Sequence, residues 1–157
     1  MPISLRPMTD DEYEVFRNRL VTGYAADIAR ADAISADAAL VEAAKQTDEL
    51  LADGTRTDGQ LLFTAVDEAG RTVGVLWLAT QAPRNQSGGW IYDIEVDEAH
   101  RGKGYGRELM LLAEQECRQL GLRTLRLNVF GPNVVARRLY ESLGYEITSQ
   151  NMAKQLD

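Results

Sequence analysis

Apolar positions in the first third of the chain recur at helical spacing, and the pattern then changes to short runs typical of strands. Acidic residues follow the first two helix starts, where they stabilise the positive end of a helix dipole. Glycines mark the ends of the last two helices. The predicted helices begin at Thr9 or Asp10, at Ser35, at about Gly104 and at Asn133. The predicted strands are 3–5, 61–66, 72–79, 90–96 and 125–129, with up to two more within 145–156.

The order of these elements predicts the fold class. Strands and helices follow one another as βααβββαβαβ, with a seventh strand possible at the end, which is an α/β (α+β) arrangement. We expect a mixed central sheet of six to seven strands with helices on both faces. No linker or change of composition interrupts residues 1–157, so the sequence predicts a single domain.

Charge and reactive residues exclude several kinds of protein. The chain has 24 acidic and 17 basic residues, a balance that argues against nucleic-acid partners and anionic membranes. Cys117 is the single cysteine and His100 the single histidine, so a disulfide within the chain is impossible and no metal site is expected. No apolar run approaches the length of about 18 residues that a membrane span needs, and no signal-like segment begins the chain. We therefore expect a cytoplasmic protein without membrane association.

The densest chemical signal follows the strand at 90–96, in the run Arg101-Gly102-Lys103-Gly104-Tyr105-Gly106 with Arg107 after it. Its three glycines let the main chain adopt unusual torsions and approach a ligand closely. A helix begins inside the run, so its first N–H groups and its dipole favour an anion at the same point. The basic residues add positive charge in an otherwise acidic protein. Together these features predict a pyrophosphate-binding loop.

Two common phosphate loops do not fit this spacing. A Walker loop needs Ser or Thr after Gly-Lys, but Gly102-Lys103 is followed by Gly104. A dinucleotide fingerprint needs G-x-G-x-x-G, whereas these glycines are each two residues apart. A glycine-rich turn without a ligand stays open as the alternative.

Two motifs in the same region resemble those of the Gcn5-related N-acetyltransferase (GNAT) family. Arg101-x-x-Gly104-x-Gly106 is similar to the acetyl-CoA signature of that family. The stretch Asn133-x-x-Ala136-x-x-Leu139-Tyr140-x-x-x-Gly144-Tyr145 resembles its second signature. The two occur in the family's order, with a helix and a strand between them. The chain is thus identified as similar to bacterial GNAT members of unassigned substrate.

The resemblance implies acetyl-CoA as co-substrate. The CoA pyrophosphate would bind the glycine-rich loop, and the pantetheine arm would pair with the backbone of Ile94 and Val96. Asn133 would contact CoA, and Tyr140 would lie near its sulfur as the candidate general acid. The loop residues concerned are Arg101, Gly102, Lys103, Gly104, Tyr105, Gly106 and Arg107.

The reaction also needs a base, because an amine with a pKa of about 10.4 is almost fully protonated at neutral pH. Asp93 and Glu95 are the candidates, since residues two apart lie on one face of a strand. We favour Glu95 slightly; the alternative is that this face is solvated or held in salt bridges. Some relatives carry a catalytic Glu at about the position of Asn128, and an amide cannot act as that base.

The resemblance therefore implies an N-acetyltransferase that acts on a primary amine of a small molecule or a peptide, as a monomer or homodimer. The amine would attack the thioester directly. A non-catalytic acyl-CoA sensor or regulatory module on the same fold is the alternative. A nucleotide-binding module is disfavoured by the glycine spacing.

Overall fold

Side-chain caps set where the first two helices begin. The structure, a computed structural model, describes residues 2–157. Helix α1 spans Asp10–Asp32 and helix α2 spans Ala36–Leu50. The Thr9 hydroxyl accepts a hydrogen bond from the Glu12 amide at 3.2 Å, and the Glu12 carboxylate accepts one from the Thr9 amide at 3.0 Å. This reciprocal capping box, with a Ser35 cap on α2, satisfies amides that a helix start leaves without partners.

Five strands form one mixed sheet in the order β1-β2-β3-β4-β5. The strands are β1 Ser4–Pro7, β2 Gln60–Val66, β3 Thr72–Ala79, β4 Gly89–Val96 and β5 Leu125–Leu127. Neighbours from β1 to β4 are antiparallel, and β4 and β5 are parallel. A parallel pair needs a crossover, which helix α3, Tyr105–Gln119, provides. Helix α4, Val134–Ser142, follows β5.

Apolar clusters cover both faces of the sheet around β4. On one face, Tyr105 and Leu109 of α3 pack with Ile94 and Val96. On the other face, Phe16 of α1 packs with β2 and β3 side chains. Strand β4 is therefore enclosed by α3 on one side and α1 on the other, and its alternate side chains point to different helices.

A β-bulge interrupts the pairing of β3 with β4. Trp77 lies opposite Asp93 and Leu78 lies opposite Ile91, so Tyr92 is the extra residue. The Tyr92 ring stacks on Trp77 at 4.6 Å between centroids, on the α1 face. Bulges commonly redirect side chains in this way. As a result, two consecutive residues, Tyr92 and Asp93, are directed to the same face.

The predicted α/β class, the mixed sheet and the helices on both faces are confirmed, but the predicted number of strands was too high. Five strands occur within residues 2–157, instead of six or seven, and residues 145–157 contain none. The alternation of Tyr145 and Ile147 is followed by Thr-Ser-Gln-Asn at 148–151, so it never produces one continuous apolar face. Strand β5 also ends two residues earlier than expected.

The chain forms two compact units, one up to Leu127 and one of Asn128–Asp157. The sheet and helices α1 to α3 belong to the first, and α4 to the second. The single domain predicted over residues 1–157 stays a prediction. Within residues 2–157, no helix combines the length and the apolar character that crossing a membrane requires.

Candidate active site

The edge of β4 that faces β5 is only partly paired within the first unit. Strand β5 pairs with Gly89, Trp90 and Ile91, and β4 continues for five more residues beyond that point. On the other edge, the Asp97 amide donates to the Val73 carbonyl at 2.8 Å. Peptide groups alternate in direction along a strand, so those of Ile94 and Val96 point away from β3. This edge can therefore pair with an extended ligand.

The glycine-rich loop leads from the end of β4 into α3. Gly102 and Gly104 have φ angles of +79° and +83°, which favour glycine. A Cβ atom added to either residue would meet no atom within 4 Å, so the main chain is open on this side. Gly104 is the N-cap of α3 and makes no side-chain capping hydrogen bond. The start of α3 thus fits an anion that approaches its backbone closely.

Side chains of the loop differ in what they can contribute. Arg101, Lys103 and Arg107 are exposed, whereas the Tyr105 side chain is buried in the core beside Leu109. Tyr105 therefore anchors the start of α3 and offers a ligand only its backbone. The Arg101 guanidinium donates through Nε to the Val96 carbonyl at 3.1 Å, which ties the loop to the end of β4.

Asp93 and Glu95 lie on the α1 face of β4, and both are held by one arginine. Nη2 of Arg19 donates to Oδ2 of Asp93 at 3.0 Å, and Nη1 of Arg19 donates to Oε2 of Glu95. The other oxygen of Glu95 lies 3.4 Å from Nη2 of Arg101. Burial raises the pKa of Asp93, while the charge and hydrogen bond of Arg19 act in the opposite direction. Both carboxylates are therefore salt-bridged, and the assignment of one of them as the base stays a prediction.

A cavity of about 520 Å³ opens on the same face. Helix α1 lines one side, and β2, β3, β4 and the loop after β4 line the other. Its charged lining residues are Asp11, Glu12, Arg19, Glu95, Asp97, Glu98 and Arg101. Gly74 lies in its floor, where a Cβ atom would collide with the carbonyl of Glu95. The cavity is therefore lined both by Arg101, from the predicted pyrophosphate loop, and by Glu95, one of the two candidate general bases.

Arg19 belongs to none of the sequence motifs. Arg19 lies 74 positions before Asp93 and 76 before Glu95, so no local pattern connects them. It lies three residues after the buried Phe16, which indicates that its stem lies near the sheet, but several polar residues of α1 share that property.

The two remaining predicted residues belong to the second unit. Asn133 is the N-cap of α4, and its Oδ1 accepts a hydrogen bond from the Ala136 amide at 3.3 Å. Tyr140 lies in α4, with its ring 6.1 Å from that of Tyr145 in an edge-on contact. The structure thus brings the loop and the two carboxylates together in the first unit, and Asn133 and Tyr140 on one helix in the second.

Among the described residues no group of three or more His, Cys, Asp or Glu side chains is arranged to hold a metal ion. Residues 27–145 match the model of the acetyltransferase (GNAT) family. The chain belongs to the GNAT family of acetyltransferases, which confirms the resemblance seen in its motifs.

Individual relatives support this assignment. The chain is 33% identical to YycN of Bacillus subtilis, described as an uncharacterized N-acetyltransferase, over 99% of this chain and 100% of that protein. The crystal structure of YycN superimposes with a TM-score of 0.89 at 30% identity, covering 99% of both chains. A structure of AAC(6')-Iy in complex with a bisubstrate analog, CoA-S-monomethyl-acetylneamine, shares the fold with a TM-score of 0.64 and 17% identity, covering 100% of this chain and 99% of that one.

Proposed function

We propose that the protein transfers an acetyl group from acetyl-CoA to a primary amine of a small molecule or a peptide. The observation that carries the proposal is the start of α3, where an open, glycine-lined backbone meets the partly paired edge of β4. An anion and an extended chain attached to it would fit these two features. Acetyl-CoA supplies the activated acetyl group when bound.

The residues that would hold the cofactor are those of the loop and of β4. The backbone N–H groups of Gly102 and Gly104 would donate to a pyrophosphate, and the exposed Arg101, Lys103 and Arg107 would add positive charge. The peptide groups of Ile94 and Val96 would pair with the pantetheine arm. The contact of Asn133 with CoA rests on the family resemblance.

The acceptor amine arrives mostly protonated, so a carboxylate must take its proton before the nitrogen attacks. Both Asp93 and Glu95 remain candidates for this role. The sequence favours Glu95 slightly, whereas burial raises the pKa of Asp93, which supports Asp93 as a proton acceptor. Tyr140 would donate to the departing sulfur. The ordinary pKa of a tyrosine, about 10, is roughly 1.5 units above that of a thiol, so full transfer of the hydroxyl proton to the sulfur is unfavourable. A hydrogen bond from the Tyr140 hydroxyl to the sulfur in the transition state is therefore the better description of its role.

The test is a screen of amines with acetyl-CoA in which the released thiol is measured. Small polyamines, amino sugars and peptides with a free N-terminus or lysine cover the proposed acceptors. We expect thiol release that depends on the amine and saturates with it. Calorimetry is the second part of this test, and we expect it to show binding of CoA and no binding of NAD. Equal affinity for NAD would contradict the cofactor assignment.

A second candidate is a non-catalytic acyl-CoA sensor on the same fold. One observation favours it: both candidate bases are already engaged in ion pairs, with Arg19 and Arg101. A sensor would bind acetyl-CoA in the calorimeter but release no thiol with any amine. For both candidate functions, we propose a bacterial, cytoplasmic protein that acts as a monomer or homodimer. Neither function requires a nucleic acid, a membrane or a metal ion.

A further inference from the structure

Arg19 connects helix α1 to both carboxylates of β4. Its two terminal nitrogens donate separately, one to Asp93 and the other to Glu95. A guanidinium is planar and its donors have a fixed spacing, so a bond to each carboxylate also fixes the distance between them. A lysine ammonium could contact both carboxylates, but its rotatable donors would not fix the distance between them.

Arg19 is exposed, but its side chain lies against a core residue. Its guanidinium carbon lies 5.7 Å from the centre of the Phe16 ring, a cation–π arrangement. Phe16 is 2% exposed and meets Trp77 edge-on at 6.2 Å. Trp77 in turn lies opposite Asp93 across the sheet. A chain of contacts therefore runs from Asp93 through the core to Arg19, and this rigid support suits a residue that orients others.

The charges around Asp93 explain why Arg19 matters. Asp93 is desolvated and has the like charge of Glu95 beside it, and both effects favour its protonated form. Arg101 contacts Glu95 but no oxygen of Asp93 within salt-bridge distance among the described residues. On β3, the facing residue is the uncharged Trp77. The other charged residues that line the cavity are Asp11, Glu12, Asp97 and Glu98, all of them acidic, and Arg6 on this face is paired with Glu12 at 2.8 Å.

We propose that Arg19 is a positioning residue that keeps Asp93 and Glu95 both charged and at one fixed separation, so that the pair can accept a proton from the acceptor amine. This inference rests on the proposed function for the role of the pair. Nothing else in the described residues supplies a positive charge to Asp93. Arg19 acts through the carboxylates, because its own guanidinium is already protonated and cannot accept a proton from the amine.

The direct test is a carbon-13 NMR titration of the Asp93 carboxyl in the full chain, compared among four proteins. They are the wild type, Arg19→Met, Arg19→Lys and Arg17→Met. Methionine keeps an apolar stem on Phe16 and removes the charge, and lysine keeps the charge without the two-armed shape. Arg17 is the matched control, since it lies on the same helix and makes a two-armed pair with Asp48 at 2.8 Å.

We expect the pKa of Asp93 to rise by about one unit or more in Arg19→Met, to rise less in Arg19→Lys and to stay unchanged in Arg17→Met. An unchanged titration in Arg19→Met would overturn the proposal. An equal rise in Arg17→Met would do the same, because it would show a general effect of losing charge from α1. If Arg19→Met does not fold, the shift in Arg19→Lys decides, and a value equal to that of the wild type overturns the proposal.

A kinetic experiment tests the consequence for the reaction, with spermidine and a lysine peptide as probe amines. Because a base must be ionised to take a proton, a higher pKa of Asp93 moves the acidic limb of kcat/KM to higher pH in Arg19→Met. A shifted titration with an unmoved acidic limb would overturn the link to catalysis. If the wild type releases no thiol with any amine, the proposed function fails. The NMR titration then still decides whether Arg19 sets the charge of the pair.

Discussion

Helices α1 and α3 begin in opposite ways. At α1, Thr9 and Glu12 cap each other, and Asp10, Asp11 and Glu12 face the positive end of the dipole with their own negative charge. At α3, Gly104 provides no side-chain cap, and the residues around it are basic. Within residues 2–157 it is the only one of the four α-helices that starts without a side-chain cap.

This difference shows that the start of a helix can serve either the stability of the fold or the binding of a ligand. A start that the protein neutralises itself contributes stability, because its amides and its dipole are satisfied in every molecule. A start without a cap gives up that stabilisation and can satisfy the same groups with a bound anion. In α3 the one acid of the first turn, Glu108, accepts a hydrogen bond from the Ile3 amide at 3.0 Å. The contrast predicts separate effects for mutations at the two starts.

The largest effect is expected from Gly104→Val. A β-branched residue at a positive φ is strained, and its side chain would occupy the open side of the loop. We expect calorimetry to show that the Kd for CoA rises at least about 100-fold, which corresponds to a loss of ~2.7 kcal/mol of binding free energy. Gly121→Val is the control, since it has a similar φ of +76° and equally open space at the other end of α3. An unchanged Kd in Gly104→Val would contradict the account.

The next effect separates binding at the loop from chemistry. Tyr140→Phe removes one hydroxyl and should lower kcat by ~10- to 100-fold, with CoA affinity unchanged. Tyr145→Phe removes a hydroxyl from the neighbouring ring and serves as the control. Equal kcat in Tyr140→Phe and the wild type would show that Tyr140 has a packing role only.

A smaller effect, on stability alone, is expected at the start of α1. The hydrogen bond with Arg6 lowers the pKa of Glu12 to about 2, and the amide and hydroxyls around it add to this. A carboxyl whose pKa is lower in the folded chain stabilises the fold above its ordinary pKa, and the contribution is lost as pH falls toward 2. The melting temperature of Glu12→Gln should therefore be lower than that of the wild type at pH 7. The difference between the two melting temperatures should shrink as the pH falls toward 2. Glu14→Gln, at an exposed acid of the same helix, should show no such gap.

The smallest effect is expected from Thr9→Ala. Loss of an N-cap hydroxyl costs about 1 kcal/mol, which lowers Tm by roughly 2–4 °C in a chain of this size. CoA affinity should stay the same, because this helix start is capped by the protein's own Thr9 and Glu12 side chains. Ser35→Ala, at the capped start of α2, should behave alike. A loss of CoA binding in either variant would remove the distinction between capped and uncapped starts.

Local features of this protein could be predicted from the sequence, and long-range ones could not. The helix starts at Thr9, Ser35 and Asn133 follow from the capping chemistry of a few neighbouring residues. The loop around Gly104 follows from glycine spacing. Asp93 and Glu95 were correctly expected to share a face, since the side-chain period of a strand is two.

What failed depends on contacts between distant parts of the chain. Val15 of α1 is apolar yet 71% exposed, while Phe16 beside it is buried. The sequence period alone leaves the rotation of a helix uncertain by one position, and the packing of Phe16 on Trp77 decides it. The bulge at Tyr92 and the contacts of Arg19 depend on strand register and helix docking, which no local pattern encodes.

The central claim is that the uncapped start of α3 binds the CoA pyrophosphate through its backbone. The most direct measurement is a titration of nitrogen-15-labelled protein with CoA, followed by amide NMR shifts. The account predicts the largest shifts at the amides of Gly102, Gly104 and Gly106, with those of Thr9 and Glu12 unmoved. Equal shifts at the two helix starts, or unmoved glycine amides while CoA binds, would contradict it.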